Sequence, residues 1–211
     1  MAVTGVFLLL FVFVHMLGNL QIFLGPEYLN AYAAQLQSLG PLLWLARIFL
    51  LLTMIVHIWA AARVVHRSRN ARPVKYVMQR DMATNFAAKT MLVSGLLILV
   101  FVVYHILNFT TGDIDPSNAY SQYMKEDTKD VYNMVVGNFR DGITTLIYSA
   151  SMLLLCLHIS HGASSLVQTL GISQIPEKMR EKIGPLLALL ILIGNLSIPL
   201  CVYFGVIANQ E

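Results

Sequence analysis

The chain has 211 residues, 57% of them hydrophobic and only 12% charged, with a mean hydropathy of +0.67 and a formal net charge of +3. So little polar surface cannot solvate a globule of this size, which excludes a water-soluble enzyme and leaves no room for a separate catalytic module. Nucleic acid is excluded as a partner too, because the basic residues sit beside apolar runs with no aromatic platform among them.

Five runs are long enough to cross ~30 Å of hydrocarbon at ~1.5 Å per residue. The sequence therefore reads as one all-α integral membrane domain, residues 1–211, with five transmembrane helices. The first run, 3–23, lacks a basic n-region and an Ala-x-Ala exit, so it is expected to stay in the mature protein. Gly25-Pro26-Glu27 breaks it, and Tyr28, Leu29, Tyr32 and Leu36 recur at the spacing of a short interfacial helix. The second run, 42–62, opens at Pro41 and carries Trp44 and Trp59 near its two ends, as membrane-interface aromatics do.

The connection 63–89 holds Arg63, Arg67, Arg69, Arg72, Lys75, Arg80 and Lys89 against one acid, Asp81, which predicts a cytoplasmic loop. Run 90–110 leaves it through Lys89, whose ammonium can snorkel to the headgroups. The loop 112–142 carries Asp113, Asp115, Glu126, Asp127, Asp130 and Asp141 against Lys125, Lys129 and Arg140, as an outer loop should, and its residues 130–139 read as a surface segment. Run 143–163 returns inward. Run 183–207 opens at Pro185, contains no histidine, and is expected to kink at Gly194 and Pro199. The N-terminus is thus expected in the cytoplasm and the C-terminus outside. Cys156 and Cys201 lie in apolar runs without a CxxC or CxxCH, so they read as small hydrophobes.

Four of the runs bury a histidine: His15, His57, His105, and His158 with His161 one turn further on. An imidazole in an apolar 20-mer is costly and marks function by default. His57 stands six residues before Arg63, about 9 Å along the helix, and His158 lies seventeen residues past Asp141, at a similar inner depth. His105 is eight residues before Asp113 and His15 twelve before Glu27, both toward the outside. Two pairs follow, His57 with His158 and His15 with His105, each suited to bis-histidine ligation of a haem b. Gly18, Gly95 and Gly162 would let a flat macrocycle approach the backbone, or serve plain helix packing. Arg63, Lys89 and Ser94 inside and Arg47 outside are candidate propionate partners, although Arg63 and Lys89 also read as topology markers. His158 and His161 share a helix face, and depth favours His158 as the ligand.

Met1-Ala-Val-Thr-Gly5, His15-Met-Leu-Gly-Asn19, Gly25-Pro-Glu-Tyr-Leu-Asn-Ala-Tyr-Ala33, Leu42-Leu-Trp-Leu-Ala-Arg47, Ala71-Arg-Pro-Val-Lys-Tyr76, Ser94-Gly95, Asp130-Val-Tyr-Asn-Met-Val135 and the stretch from Leu157 to Gly171 form an ordered set. In that set the chain resembles, nearly end to end, the di-haem cytochrome b membrane anchor of B-type succinate:quinone oxidoreductase, the succinate dehydrogenase and fumarate reductase family. The resemblance implies an outer haem on His15 and His105 and an inner haem on His57 and His158. The family's fourth ligand stands four residues before a glycine, which matches His158 with Gly162 and leaves His161 as a propionate or outer-layer contact.

The resemblance further implies two haem b groups and partner subunits. These are a flavoprotein carrying FAD and an iron-sulfur protein, docked on the cytoplasmic connections. It also implies a quinone, often menaquinone, as substrate, with Glu27, Tyr32 and Arg47 as outer candidates to contact it. The expected setting is the lipid of a bacterial cytoplasmic membrane, with scope for a higher oligomer of the whole complex. The expected role is electron transfer rather than succinate chemistry. Because helix one begins almost at Met1, contacts that relatives make through an N-terminal tail are not expected here. The rival readings are the di-haem anchor of a nitrate reductase or hydrogenase, and a haem-free transporter or scaffold.

Overall fold

The structure, a computed structural model, describes residues 1–71, 86–115, 124–125, 128–171 and 176–209. The expectations that rest on Arg72, Pro73, Lys75, Arg80, Asp81, Glu126 and Asp127, and on the side chains of Arg69 and Lys89, lie outside the described residues.

Seven α-helices make up nearly all of the described chain: α1 (Ala2–Asn19), α2 (Pro26–Ser38), α3 (Pro41–Asn70), α4 (Phe86–Ile106), α5 (Val131–Arg140), α6 (Gly142–Thr169) and α7 (Glu177–Tyr203). A 3₁₀ turn, Leu20–Leu24, extends α1, and a π turn, Leu107–Thr111, extends α4. The two-residue strands β1 (Met124–Lys125) and β2 (Thr128–Lys129) pair antiparallel. Five helices, α1, α3, α4, α6 and α7, are long and apolar enough to cross a membrane.

Local sequence explains most of the boundaries. Pro26 and Pro41 occupy the first turns of α2 and α3, where a missing N–H costs nothing. The residue before each is a glycine at positive φ, Gly25 at 112° and Gly40 at 50°, a conformation that side-chain-bearing residues rarely adopt. Three ends differ from expectation. The helix after Pro41 runs on to Asn70, so Arg63, His66 and Arg67 stand on α3 rather than in a loop. Likewise α6 continues to Thr169, and α7 starts at Glu177, which puts Pro185 inside a helix it was expected to open. In α3 and α7 the apolar run is bounded by charges, and Arg, Glu and Lys sustain the helix past them, whereas α6 runs on through the uncharged residues Ser164 to Thr169.

Segment 130–139, expected at the surface, is instead among the most buried parts of the chain. Tyr132, Asn133, Met134, Val136, Asn138 and Phe139 of α5 are all buried. Tyr132, Val136 and Phe139 pack with Ile22, Leu29, Tyr148, Ile198, Val202 and Ile207 in one core that closes this end of the bundle. The half-polar composition of α5 is satisfied internally. The Asp130 carboxylate accepts from the Asn133 backbone N–H (3.1 Å), the Asn133 amide (2.7 Å) and the Asn30 amide (3.1 Å), while Asn30 Oδ1 accepts from the Tyr132 N–H at 3.0 Å. This network fastens α2 to α5 and makes a cap, and the end that carries it is the capped end below.

A second core, Met16, Ile159, Ala163, Ala188 and Ile191, lies where α1, α6 and α7 meet. The contact between α6 and α7 is the most extensive in the molecule, and α3 packs chiefly on α1. At Gly184 the two helices come so close that an added Cβ would collide with the Ser160 carbonyl oxygen and the Ser164 hydroxyl. The thioether of Met16 fills the notch at Gly194.

Asp141 caps α6 by accepting from the Thr144 backbone N–H at 2.7 Å. Bonds from Thr144 hold its carboxyl below the ordinary carboxylate range. Because the folded value is the lower one, this contribution is present above an unfolded pKa of ~3.9 and is lost as pH falls through the folded value. Asp141→Ala is expected to cost about 1 kcal/mol, read as earlier thermal unfolding in detergent at neutral pH and as no difference from the parent in strong acid.

Candidate functional site

The histidines gather at two depths. Near the capped end His15 of α1 and His105 of α4 face one another, ring centroids 5.9 Å apart and planes at 87°. Phe11 stacks on His15 at 5.4 Å, and Phe101, Phe109 and Tyr148 each place a ring within 5.9 Å of His105. Phe139 of the cap closes on Tyr148 at 4.9 Å, so α5 covers the aromatic cluster around this pair. The Tyr148 hydroxyl is hydrogen-bonded to His105 Nδ1 at 3.1 Å. Asn108, one turn beyond His105 and 2% exposed, lies near the Tyr148 phenol without a well-formed side-chain hydrogen bond among the described residues.

Toward the opposite end His57 of α3 and His158 of α6 lie within electrostatic reach of each other. His57 Nδ1 is hydrogen-bonded to Thr4 Oγ1 at 3.0 Å, and His158 Nδ1 to Ser94 Oγ at 3.2 Å. A methyl added at Gly5 would stand 3.6 Å from His57 Cε1, and one added at Gly95 would stand 3.3 Å from His158 Cε1. In three of the four histidines, therefore, Nδ1 is engaged by a neighbouring helix and Nε2 is left for another partner.

Two imidazoles that hold one metal ion at ~2 Å from each nitrogen set their ring centroids about 6 Å apart, which the capped-end pair matches. No cluster of three or more His, Cys, Asp or Glu forms among the described residues. Each pair thus offers two axial donors, the number needed by a metal that arrives with its own equatorial ligands. The residues fit a haem in this respect.

The other expected site residues fall into place unevenly. Gly18 receives the ring and hydroxyl of Tyr32, since an added Cβ would lie 2.6 Å from both Cε1 and Oη. Tyr32 also lines, with Gln21, Glu27, Tyr28, Ala31 and Gln35, an open cleft of about 540 Å³ at the capped end. Glu27 and Tyr32 are brought together there. Arg47 does not line it; its guanidinium lies 4.9 Å from the Trp44 ring centroid and acts electrostatically on Lys129. Gly95 stands against His158, where α4 packs on α6. The oxygen of Ser94 is in contact with His158 Nδ1. Arg63 is exposed, its guanidinium 5.6 Å from the Trp59 ring centroid. A Cβ at Gly162 would meet nothing within 4 Å, and His161 sits half-buried one turn beyond His158.

Sequence reasoning missed Thr4, Gly5 and Tyr148. A signal was present: Thr4-Gly5 stands eleven residues before His15 as Ser94-Gly95 stands eleven before His105. This repeat has a structural counterpart. A long helix, an irregular turn, a short capping helix and a returning long helix occur in that order twice, as α1 to α3 and as α4 to α6. Comparison with family models, with curated proteins and with solved structures returned no match.

Proposed function

We propose that the chain is a multi-pass di-haem cytochrome b, the membrane anchor and electron-transfer subunit of a succinate:quinone oxidoreductase in a bacterial cytoplasmic membrane. The observation that carries this reading is the arrangement of four histidines, one on each of four long apolar helices, as two pairs at two depths. His15 and His105 would hold one haem, and His57 and His158 the other. A haem b held by two of these histidines would supply one-electron transfer.

The residues of the chain then have separable tasks. The four imidazoles fix the spacing and depth of the two centres. Phe11, Phe101, Phe109 and Tyr148 exclude water from the pair at the capped end, with α5 above them. The basic connection after α3 favours the cytoplasm, which puts the N-terminus inside, the capped end outside, and the His57–His158 pair next to an iron-sulfur partner that itself serves a flavoprotein. Glu27 and Tyr32, in the outer cleft, are placed to exchange protons with a quinone, and Gly18 holds Tyr32 one turn from His15.

The test is a reduced-minus-oxidised spectrum of the purified protein together with identification of whatever co-purifies. A b-type α-band, two haems per chain, a flavoprotein and an iron-sulfur protein are expected. A molybdenum- or nickel-containing partner would move the chain to another quinone-linked complex, and the absence of a b-type band would sink the haem reading in favour of a haem-free transporter or scaffold.

A further inference from the structure

Thr4 and Ser94 share more than their spacing. Thr4 Oγ1 donates its proton to the Met1 carbonyl at 2.9 Å, and Ser94 Oγ donates to the Met91 carbonyl at 3.2 Å, each three residues back. A hydroxyl has one proton, and in both residues it is committed to the helix backbone. With that proton on the backbone, what each oxygen offers the imidazole beside it is a lone pair, and the contacts at 3.0 Å and 3.2 Å then suit a ring proton on Nδ1 of His57 and His158, donated to Thr4 and Ser94.

The glycine that follows each hydroxyl completes the arrangement. A Cβ at Gly95 would press on His158 Cε1 at 3.3 Å, so this glycine makes room for the ring, whereas a Cβ at Gly5 would meet His57 Cε1 in ordinary contact at 3.6 Å. The same hydroxyl–imidazole contact, followed in sequence by a glycine, thus occurs twice, on α1 for the histidine of α3 and on α4 for the histidine of α6.

We propose that Thr4-Gly5 and Ser94-Gly95 are duplicated positioning elements that set the tautomer and ring orientation of the inner histidine pair. They act across the bundle. Thr4 and Ser94 belong to the helices that bear the outer histidines, yet they serve the inner ones. Tyr148 crosses the other way, from the helix of His158 to His105. An imidazole whose Nδ1–H is donated to an oxygen is the stronger electron donor through Nε2 and favours the more oxidised state of a metal bound there.

This inference rests on the di-haem reading, and redox titration of the purified complex, with electron paramagnetic resonance of each haem, separates the two. Thr4→Val and Ser94→Ala are each expected to raise the midpoint potential of the inner haem and to leave the outer haem unchanged. Thr4→Ser and Ser94→Thr, which keep the hydroxyl, should restore the parent value. Tyr148→Phe should alter the outer haem alone. Loss of the inner haem in Thr4→Val with retention in Thr4→Ser supports the proposal as well; loss in both opposes it. Parent-like potentials and resonance signals in Thr4→Val and Ser94→Ala, or a shift of the outer haem instead of the inner, overturn the proposal and leave the di-haem reading standing. A parent protein with no b-type spectrum overturns both.

Discussion

Replacing His57 or His158 with alanine is expected to abolish one and the same b-type spectral component, and replacing His15 or His105 to abolish the other. The effect should be complete rather than graded, because a bis-histidine centre that loses one axial ligand loses its low-spin signature whether or not the haem stays. The basis is geometric. His15 and His105 stand with ring centroids 5.9 Å apart, and their helices hold them away from His57 and His158 by several turns. His161→Ala should retain both components, since Ser94 and Gly95 grip His158, one turn earlier. Optical and resonance spectra of the five single variants decide the matter. Loss of the same component on replacing a member of each pair would refute the two-layer arrangement.

Gly184→Val is expected to be the most destabilising single substitution in the packing of α7. A β-branched side chain there meets a backbone oxygen, that of Ser160, which cannot rotate away, together with the Ser164 hydroxyl. Overpacking typically costs ~1–3 kcal/mol where side chains can yield, and a clash with helix backbone belongs at or above the top of that range. Helix pairs in membranes depend on such close approach, because lipid is as apolar as the side chains themselves and provides no hydrophobic drive. Thermal unfolding in detergent and protease susceptibility of the α6–α7 junction should both change. Gly162→Ala, where an added methyl meets nothing, is the matching control. Equal stability of Gly184→Val and the parent would mean that the two helices do not approach as described.

The five spans were legible because hydrocarbon demands a run of about twenty apolar residues and little else meets that demand. The sorting of His15 with His105 and of His57 with His158 was legible for a related reason: helical rise is fixed, so distance from the flanking charges reads as depth. Helix ends were not legible. The apolar run before Arg63 measures where the membrane would stop, whereas α3 stops only at Asn70. Burial of α5 was hidden because its polar residues look solvated until Asn30, from a hundred residues earlier in the chain, is seen to bond Asp130. The roles of Thr4, Ser94 and Tyr148 were hidden in the same way. Their histidines lie 53, 64 and 43 residues away on antiparallel helices, and no local pattern announces such partners. Arg47 drew attention as a charge in an apolar run, and its partners Trp44 and Lys129 were not legible in that pattern.

The packing of α3 chiefly against α1 has a consequence for biosynthesis. His57 leaves the ribosome about a hundred residues before His158, and of the long helices made by then α3 packs chiefly on α1. The early hairpin must therefore survive in the bilayer as a half-built unit, with the Thr4–His57 bond already able to form, until the second hairpin and α7 arrive to enclose it. On that order of synthesis, assembly joins an early α1–α3 unit to the later helices α4, α6 and α7.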